Sequence, residues 1–212
     1  MAREYDAPDS SAVAQDAVPI EDTRRLILHV ADALFARHGY AAVSMNTLVE
    51  EISRLRPLTK GSLYYYFADK EVLYLTVLLE KLEQTGQVLA ESTTAGDLRA
   101  CVVALVTTMR RVLPLNFARI LADSDEYLGP AARERFEEAG HRHLFGPLIA
   151  LFERAARDGM LRPSVTPPDA AAALLGLAFS FLAIPFRAAV TTASIEDIIA
   201  DLLFDGMLVR SG

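Results

Sequence analysis

The sequence predicts an all-α protein of about nine helices, and three observations carry that prediction. Apolar residues recur three and four positions apart almost throughout the chain, and no run shows the sustained alternation that half-buried strands need. A capping residue, glycine or proline stands where most of these periodic runs begin or end. With 212 residues, 52% hydrophobic and 23% charged, the composition is that of an ordinary soluble globular protein with one or two packed helical units.

Met1 to Pro19 is mostly Ala, Ser, Asp and Pro and reads as a disordered lead-in. It sets Arg3 against Glu4, Asp6, Asp9 and Asp16, so it does not read as a basic arm for a DNA groove. It has no charged-then-apolar leader, so secretion is not indicated and a cytoplasmic location is expected. The first helix spans Leu26 to His38, with Leu26, Ile27, Val30, Ala31, Leu34 and Phe35 as one apolar stripe and Gly39 as its stop. Ser44 can cap a second helix in which Leu48, Ile52 and Leu55 recur at helical spacing before Pro57 interrupts it. Thr59 can cap a third, short helix starting at Lys60, with Leu63 and Phe67 on one buried face.

The segment from Leu58 to Glu71 is chemically the most unusual. Three consecutive tyrosines cannot all enter a core, so at least one of Tyr64, Tyr65 and Tyr66 must face outward. Outward phenols and amines beside a helix N-terminus suit a phosphate backbone; a tyrosine-rich edge strand or an aromatic core is the other reading of the same residues. A helix, a break and a second capped helix with outward polar residues form a helix-turn-helix, whose second helix enters the major groove. The net charge of −7 argues against indiscriminate attachment to nucleic acid. Between Ile52 and Lys70, however, Arg54, Arg56, Lys60 and Lys70 stand against Asp69 alone, so this strip is positive within an acidic protein.

Leu34-Phe35, Gly39-Tyr40, Ser44-Met45, Thr59-Lys-Gly-Ser-Leu-Tyr-Tyr-Tyr-Phe67 and Lys70-Glu71, in that order, resemble the TetR family of bacterial transcriptional regulators from Arg24 to about Leu75. The resemblance implies an all-helical homodimer with residues 21–70 as a head that binds double-stranded operator DNA. Residues 71–212 would then form a body for dimerisation and for a small-molecule effector, with residues 1–20 as the lead-in. Carried over position by position, it implies Lys60, Ser62 and Tyr65 near base edges and Ser44, Thr59, Tyr64, Tyr66 and Lys70 on phosphates. Gly61 lies within the same motif, and Asn46 is a further base-contact candidate. The chain departs from the family pattern between Ile52 and Lys60, where the turn is about one helical turn of sequence longer, worth about 6 Å if helical. Those residues either extend the second helix or form a loop, and Arg54 and Arg56 within them either reach phosphates or form a solvated pair.

A long helix is expected from Glu71 to about Ala90, capped by Asp69 or a neighbour, with Gly96 breaking it from a helix over Asp97 to Leu113 that Pro114 ends. A shorter piece follows around Asn116 to Ser124, and Gly129-Pro130 opens a helix running to about Arg157, closed by Gly159, with Gly146-Pro147 as a point of kinking or division. Cys101 lies in an apolar run and reads as a buried, inert thiol; one cysteine excludes an internal disulfide. Glu137 and His141, four apart, share a face, whereas His143 points elsewhere, so a metal site is not expected.

Ala170 to Phe186 carries no charge, but it falls short of the roughly 20 residues of a bilayer span and lacks basic flanks, so no membrane partner is expected. A helix apolar all round must be covered, and the final helix, with its Ser194/Asp197 start and apolar positions from Ile195 to Leu208, supplies part of that cover. Paired across two chains, these helices would make a four-helix dimer interface, with Ala171 to Ala173 and Gly176 permitting close approach. Met109, Phe117, Leu121, Phe145, Phe152, Phe179 and Phe181 can line an effector cavity, with Arg110, Arg119 or His141 as polar handles; each also reads as plain core. No phosphate-binding glycine loop, nucleophile elbow or cofactor fold is visible, so no enzyme and no cofactor are expected. The expected function is a repressor released from a palindromic operator by a small apolar ligand. The alternative is a TetR-like interaction protein whose operator binding is altered or lost through the longer turn.

Overall fold

Helix α1 runs Ile20–His38 and starts earlier than its apolar stripe, because Glu21 and Asp22 place carboxylates in the first turn, where the helix dipole favours them. It stops at Gly39, whose φ of +81° is the left-handed conformation that closes a helix at least cost to glycine. The computed structural model describes residues 20–94, 96–112, 117–183 and 194–207. The disordered lead-in, the Pro114 stop, Pro185, Phe186 and Leu208 of the sequence expectations lie outside those residues.

Helices α2 (Met45–Leu55) and α3 (Lys60–Tyr66) are each capped as the sequence predicts: the Ser44 hydroxyl accepts from the Thr47 N–H at 3.0 Å and the Thr59 hydroxyl from the Ser62 N–H at 3.1 Å. The longer turn is resolved in both senses. Helix α2 continues to Leu55, and residues 56–59 form the link, tied by the Ser53 hydroxyl donating to the Leu58 carbonyl at 3.0 Å. One sequence expectation is corrected here: Leu48 and Ile52 are fully buried, but Leu55 is 68% exposed, because the added turn carries it past the edge of the head.

Helix α4 (Lys70–Ser92) begins at Asp69, whose carboxylate accepts from the Val72 N–H at 2.8 Å, and lies against α1, α5, α7 and α8. Helix α5 (Leu98–Val112) follows Gly96, at φ +91°, with Asp97 capping the Ala100 N–H. Helices α6 (Phe117–Tyr127), α7 (Pro130–Gly140) and α8 (Gly146–Arg157) come next. The last two are joined without a break by a π-turn over His141–Phe145. The expected disturbance at Gly146-Pro147 therefore takes a definite form: Pro147 has no N–H to return, and the Gly146 N–H reaches the His141 carbonyl five residues back. Gly86 of α4 faces this turn so closely that a Cβ there would stand 2.8 Å from the His143 Cβ and carbonyl oxygen. Helix α8 ends at Gly159, φ +69°.

Helix α9 (Pro167–Ala183) packs on α8, α10 and α5 through Ala170, Ala171, Leu174, Leu175 and Ala178, all buried. Helix α10 (Ile195–Met207) starts with the Ser194 hydroxyl accepting from the Asp197 N–H at 3.0 Å and packs on α5. Among the described residues there is no strand, and no helix is long and apolar enough to cross a membrane.

Candidate nucleic-acid interface and effector cavity

Helix α3 is only seven residues long, too short to persist alone, and packing on α2 holds it. Leu63 and Phe67 supply that hold, at 0% and 2% exposure. With those two positions fixed, helical geometry turns Lys60, Gly61, Tyr64 and Tyr65 outward. Tyr65 is 76% and Tyr64 42% exposed, while half-buried Tyr66 meets Tyr65 edge-on with ring centroids 5.4 Å apart. The Lys60 ammonium lies 6.0 Å from the Tyr64 ring and keeps no ion pair among the described residues. Ser62 is half-buried beside its capping partner, and Ser44 and Asn46 lie exposed at the start of α2. A Cβ at Gly61 would meet no part of the protein closer than the Thr59 hydroxyl at 3.9 Å, so internal packing does not require glycine there.

The neighbouring basic residues are differently engaged. Arg54 pairs with Glu51 at 2.7 Å, and Arg56 donates to the Thr23 hydroxyl at 3.3 Å, so the added turn brings one neutralised and one α1-facing guanidinium. The Lys70 ammonium donates to the Tyr40 carbonyl at 3.1 Å and sits 3.9 Å from the Tyr40 ring, and its burial pulls its pKa below the ordinary lysine range.

Tyr40, just past the end of α1, also meets both α4 and α6. Its N–H donates to the Asp123 carboxylate of α6 at 2.9 Å, and its ring stacks on Tyr127 at 5.0 Å and leans on Tyr74 at 4.9 Å. Burial pushes the phenols of Tyr40 and Tyr74 up. Arg119 of α6 donates to the carbonyls of Ala36 and Phe35 at the end of α1, and Glu71 of α4 accepts from the Gly129 N–H at 2.9 Å. No sequence signal pointed to the Asp123 and Arg119 contacts, since their partners lie more than 80 positions away.

Residues 27–77, from within α1 through α2 and α3 into α4, match the bacterial regulatory proteins of the tetR family. The head belongs to the tetR family. The tetR likeness extends to curated relatives. The chain is 30% identical over 106 residues to an uncharacterized HTH-type transcriptional regulator, YuxN, of Bacillus subtilis, covering 50% of this chain. It is 33% identical over 69 residues, 32% of the chain, to the HTH-type transcriptional repressor AcnR of Corynebacterium diphtheriae. These matches span about a third of the relatives' own lengths, 33% and 34%. In overall fold the chain is similar to a TetR-family transcriptional regulator from Cytophaga hutchinsonii, with a TM-score of 0.72, 19% identity and coverage of 93% and 100% of the two chains.

Behind the tetR-family head, a cavity of about 520 Å³ opens between α4, α6, α7, the π-turn and α9. Phe117, Leu121, Phe145 and Phe179 of the sequence-predicted set line it, with Phe117 and Phe179 stacked at 4.6 Å. Met109 and Phe152 do not: at 0% and 2% exposure they fill the core, since periodicity marks an inward face without distinguishing core from cavity wall. Phe181 is half-buried outside the lining. Two of the expected polar handles are also engaged elsewhere, Arg110 with the buried Glu196 of α10 at 3.0 Å and Arg119 with the α1 carbonyls. His141 does line the cavity, beside Glu137, whereas His143 packs against Gly86. Phe136, Leu144 and Leu175 are lining residues that the sequence reading missed.

Proposed function

We propose that the chain is a transcriptional regulator that reads a palindromic operator through two copies of α3 and, as a repressor, is released by a small, largely apolar ligand in the α4–α9 cavity. The observation that carries this reading is the exposure of Tyr65 and Lys60 on a helix whose opposite face, Leu63, is fully buried. Lys60, Ser62 and Tyr65 then read base edges, and Ser44, Thr59, Tyr64, Tyr66 and Lys70 hold phosphates, with Asn46 at a further base. The extra turn of α2 ends before Thr59 and leaves the α3 cap intact, which supports DNA reading over an interaction role.

Gly61 fits a helix approached closely from outside. Removing that freedom gives a prediction with opposite signs: Gly61→Ala should stabilise the fold by up to about 1 kcal/mol, because alanine is the better helix former. The same change should weaken operator binding, and thermal melts beside gel shifts of the one variant check both signs.

Dimerisation would use α9 and α10. Ala171 is buried within the chain and Ala172 and Gly176 line the cavity, so the surface offered to a partner is half-buried Ala173 and Leu177 with Ile198 and the 51% exposed Leu202. The expected light-scattering mass at micromolar concentration is that of two chains. A mass of one chain would remove the paired-head arrangement.

Release follows from α6. Phe117 and Leu121 of this helix line the cavity, while Arg119 and Asp123 of the same helix hold the end of α1 and the Tyr40 N–H. A ligand that prefers a shifted α6 therefore shifts the heads, by no more than its preference between the two arrangements. Gel shifts on DNA flanking the protein's own gene test the reading: a discrete complex that survives excess random duplex is expected, and binding equal to random duplex would sink it.

A further inference from the structure

The effector cavity is apolar and aromatic, but its lining has one ionised group of fixed sign, the Glu137 carboxylate. Among the described residues no hydrogen bond or ion pair reaches that carboxylate, and no lysine or arginine lines the cavity. The nearest basic side chain along its face, Arg133 one turn earlier on α7, is held instead by Asp125 of α6 at 3.1 Å and by the Asp125 carbonyl. One turn later, His141 stands beside the cavity with its ring stacked on Phe145 at 6.1 Å, which adds an aromatic face rather than a fixed positive charge.

We infer that the cavity selects lipophilic monocations, molecules with an aromatic body and a single ammonium group that Glu137 pairs with at the mouth. The inference rests on the proposed effector role of this cavity. Three physical terms point the same way. A cavity of about 520 Å³ is the size that holds a drug-sized molecule, and its apolar wall rewards an apolar body. A neutral body laid over Glu137 would strip water from a carboxylate and return nothing, and an anion would add like-charge repulsion. An ammonium removes both penalties and is further attracted to the ring faces of the lining phenylalanines.

The test is calorimetric titration of the full chain, without DNA, against three probes that share a biphenyl body: 4-phenylbenzylammonium, 4-phenylbenzyl alcohol and 4-phenylbenzoate. The ammonium is expected to bind about tenfold more tightly than the alcohol, combining a partly exposed ion pair with cation–π attraction, and the benzoate most weakly. Glu137→Gln, on an exposed position of α7, should close the gap between ammonium and alcohol from both sides, because the ammonium loses its ion pair and the alcohol no longer desolvates a carboxylate. Equal affinities, preference for the benzoate, a preference that survives Glu137→Gln, or no binding of any probe would each overturn the inference. The gel shift of the ligand-free protein is independent of these titrations. Ammonium selectivity without operator binding would leave the cavity inference standing and remove the regulator, and the reverse pair of results would do the opposite.

Discussion

Leu63→Ala is expected to lower the stability of the head by about 2–5 kcal/mol, the usual range for emptying a fully buried leucine site. The upper part of that range is expected because α3 has seven residues and little helical stability of its own, so Leu63 and Phe67 are what keep it folded against α2. The loss should appear in chemical denaturation as an early transition of the head, with the body unfolding later. Operator affinity should fall with it, while calorimetric binding in the cavity persists. A change below about 1 kcal/mol, the scale of a surface substitution, would mean that α3 is not anchored by this side chain.

Tyr65→Ala is expected to act on the other face of the same helix. Tyr65 is 76% exposed and, among the described residues, its ring meets that of Tyr66 alone, so its removal should leave the melting curve close to that of the parent. Specific binding should weaken by about 1–3 kcal/mol, with preference blurred at one base pair of each half-site. Lys70→Ala supplies the contrast. It should weaken specific and random DNA alike and lower the salt slope by about one. If both substitutions shifted the two kinds of DNA equally, the division into base reader and phosphate anchor would be wrong.

These two predictions depend on parts of the molecule that the sequence made legible to different degrees. The caps at Ser44, Thr59, Asp69 and Ser194 were readable because each is a local bond between residues three positions apart. That at least one of the three tyrosines faces outward was readable in the same way, whereas the structure is what singles out Tyr64 and Tyr65. Leu55 was misread because periodicity reports which side of a helix is apolar but not where the neighbouring helices end. Met109 and Phe152 failed as cavity residues for a related reason: core and cavity wall carry the same apolar pattern, and only the arrangement of α4, α6, α7 and α9 separates them.

Long-range polar pairing was beyond sequence reach altogether. Arg110 and Arg119 looked like cavity handles until Glu196 and the carbonyls closing α1 proved to be their partners. The contact of Gly86 with the His143 backbone left one trace, a glycine in the middle of a long helix, which costs helix stability and so points to a close neighbour.

The central claim is that α3 is a groove-reading helix delivered in two copies. It is tested most directly by selecting bound duplexes from a random-sequence pool with the purified protein. The account predicts enrichment of an inverted repeat whose half-site centres lie about 34–36 Å apart or a multiple of that, with Tyr65→Ala losing preference at one symmetric pair of positions. A pool that stays random, or one that enriches a single undivided site unaffected by Tyr65→Ala, would contradict it.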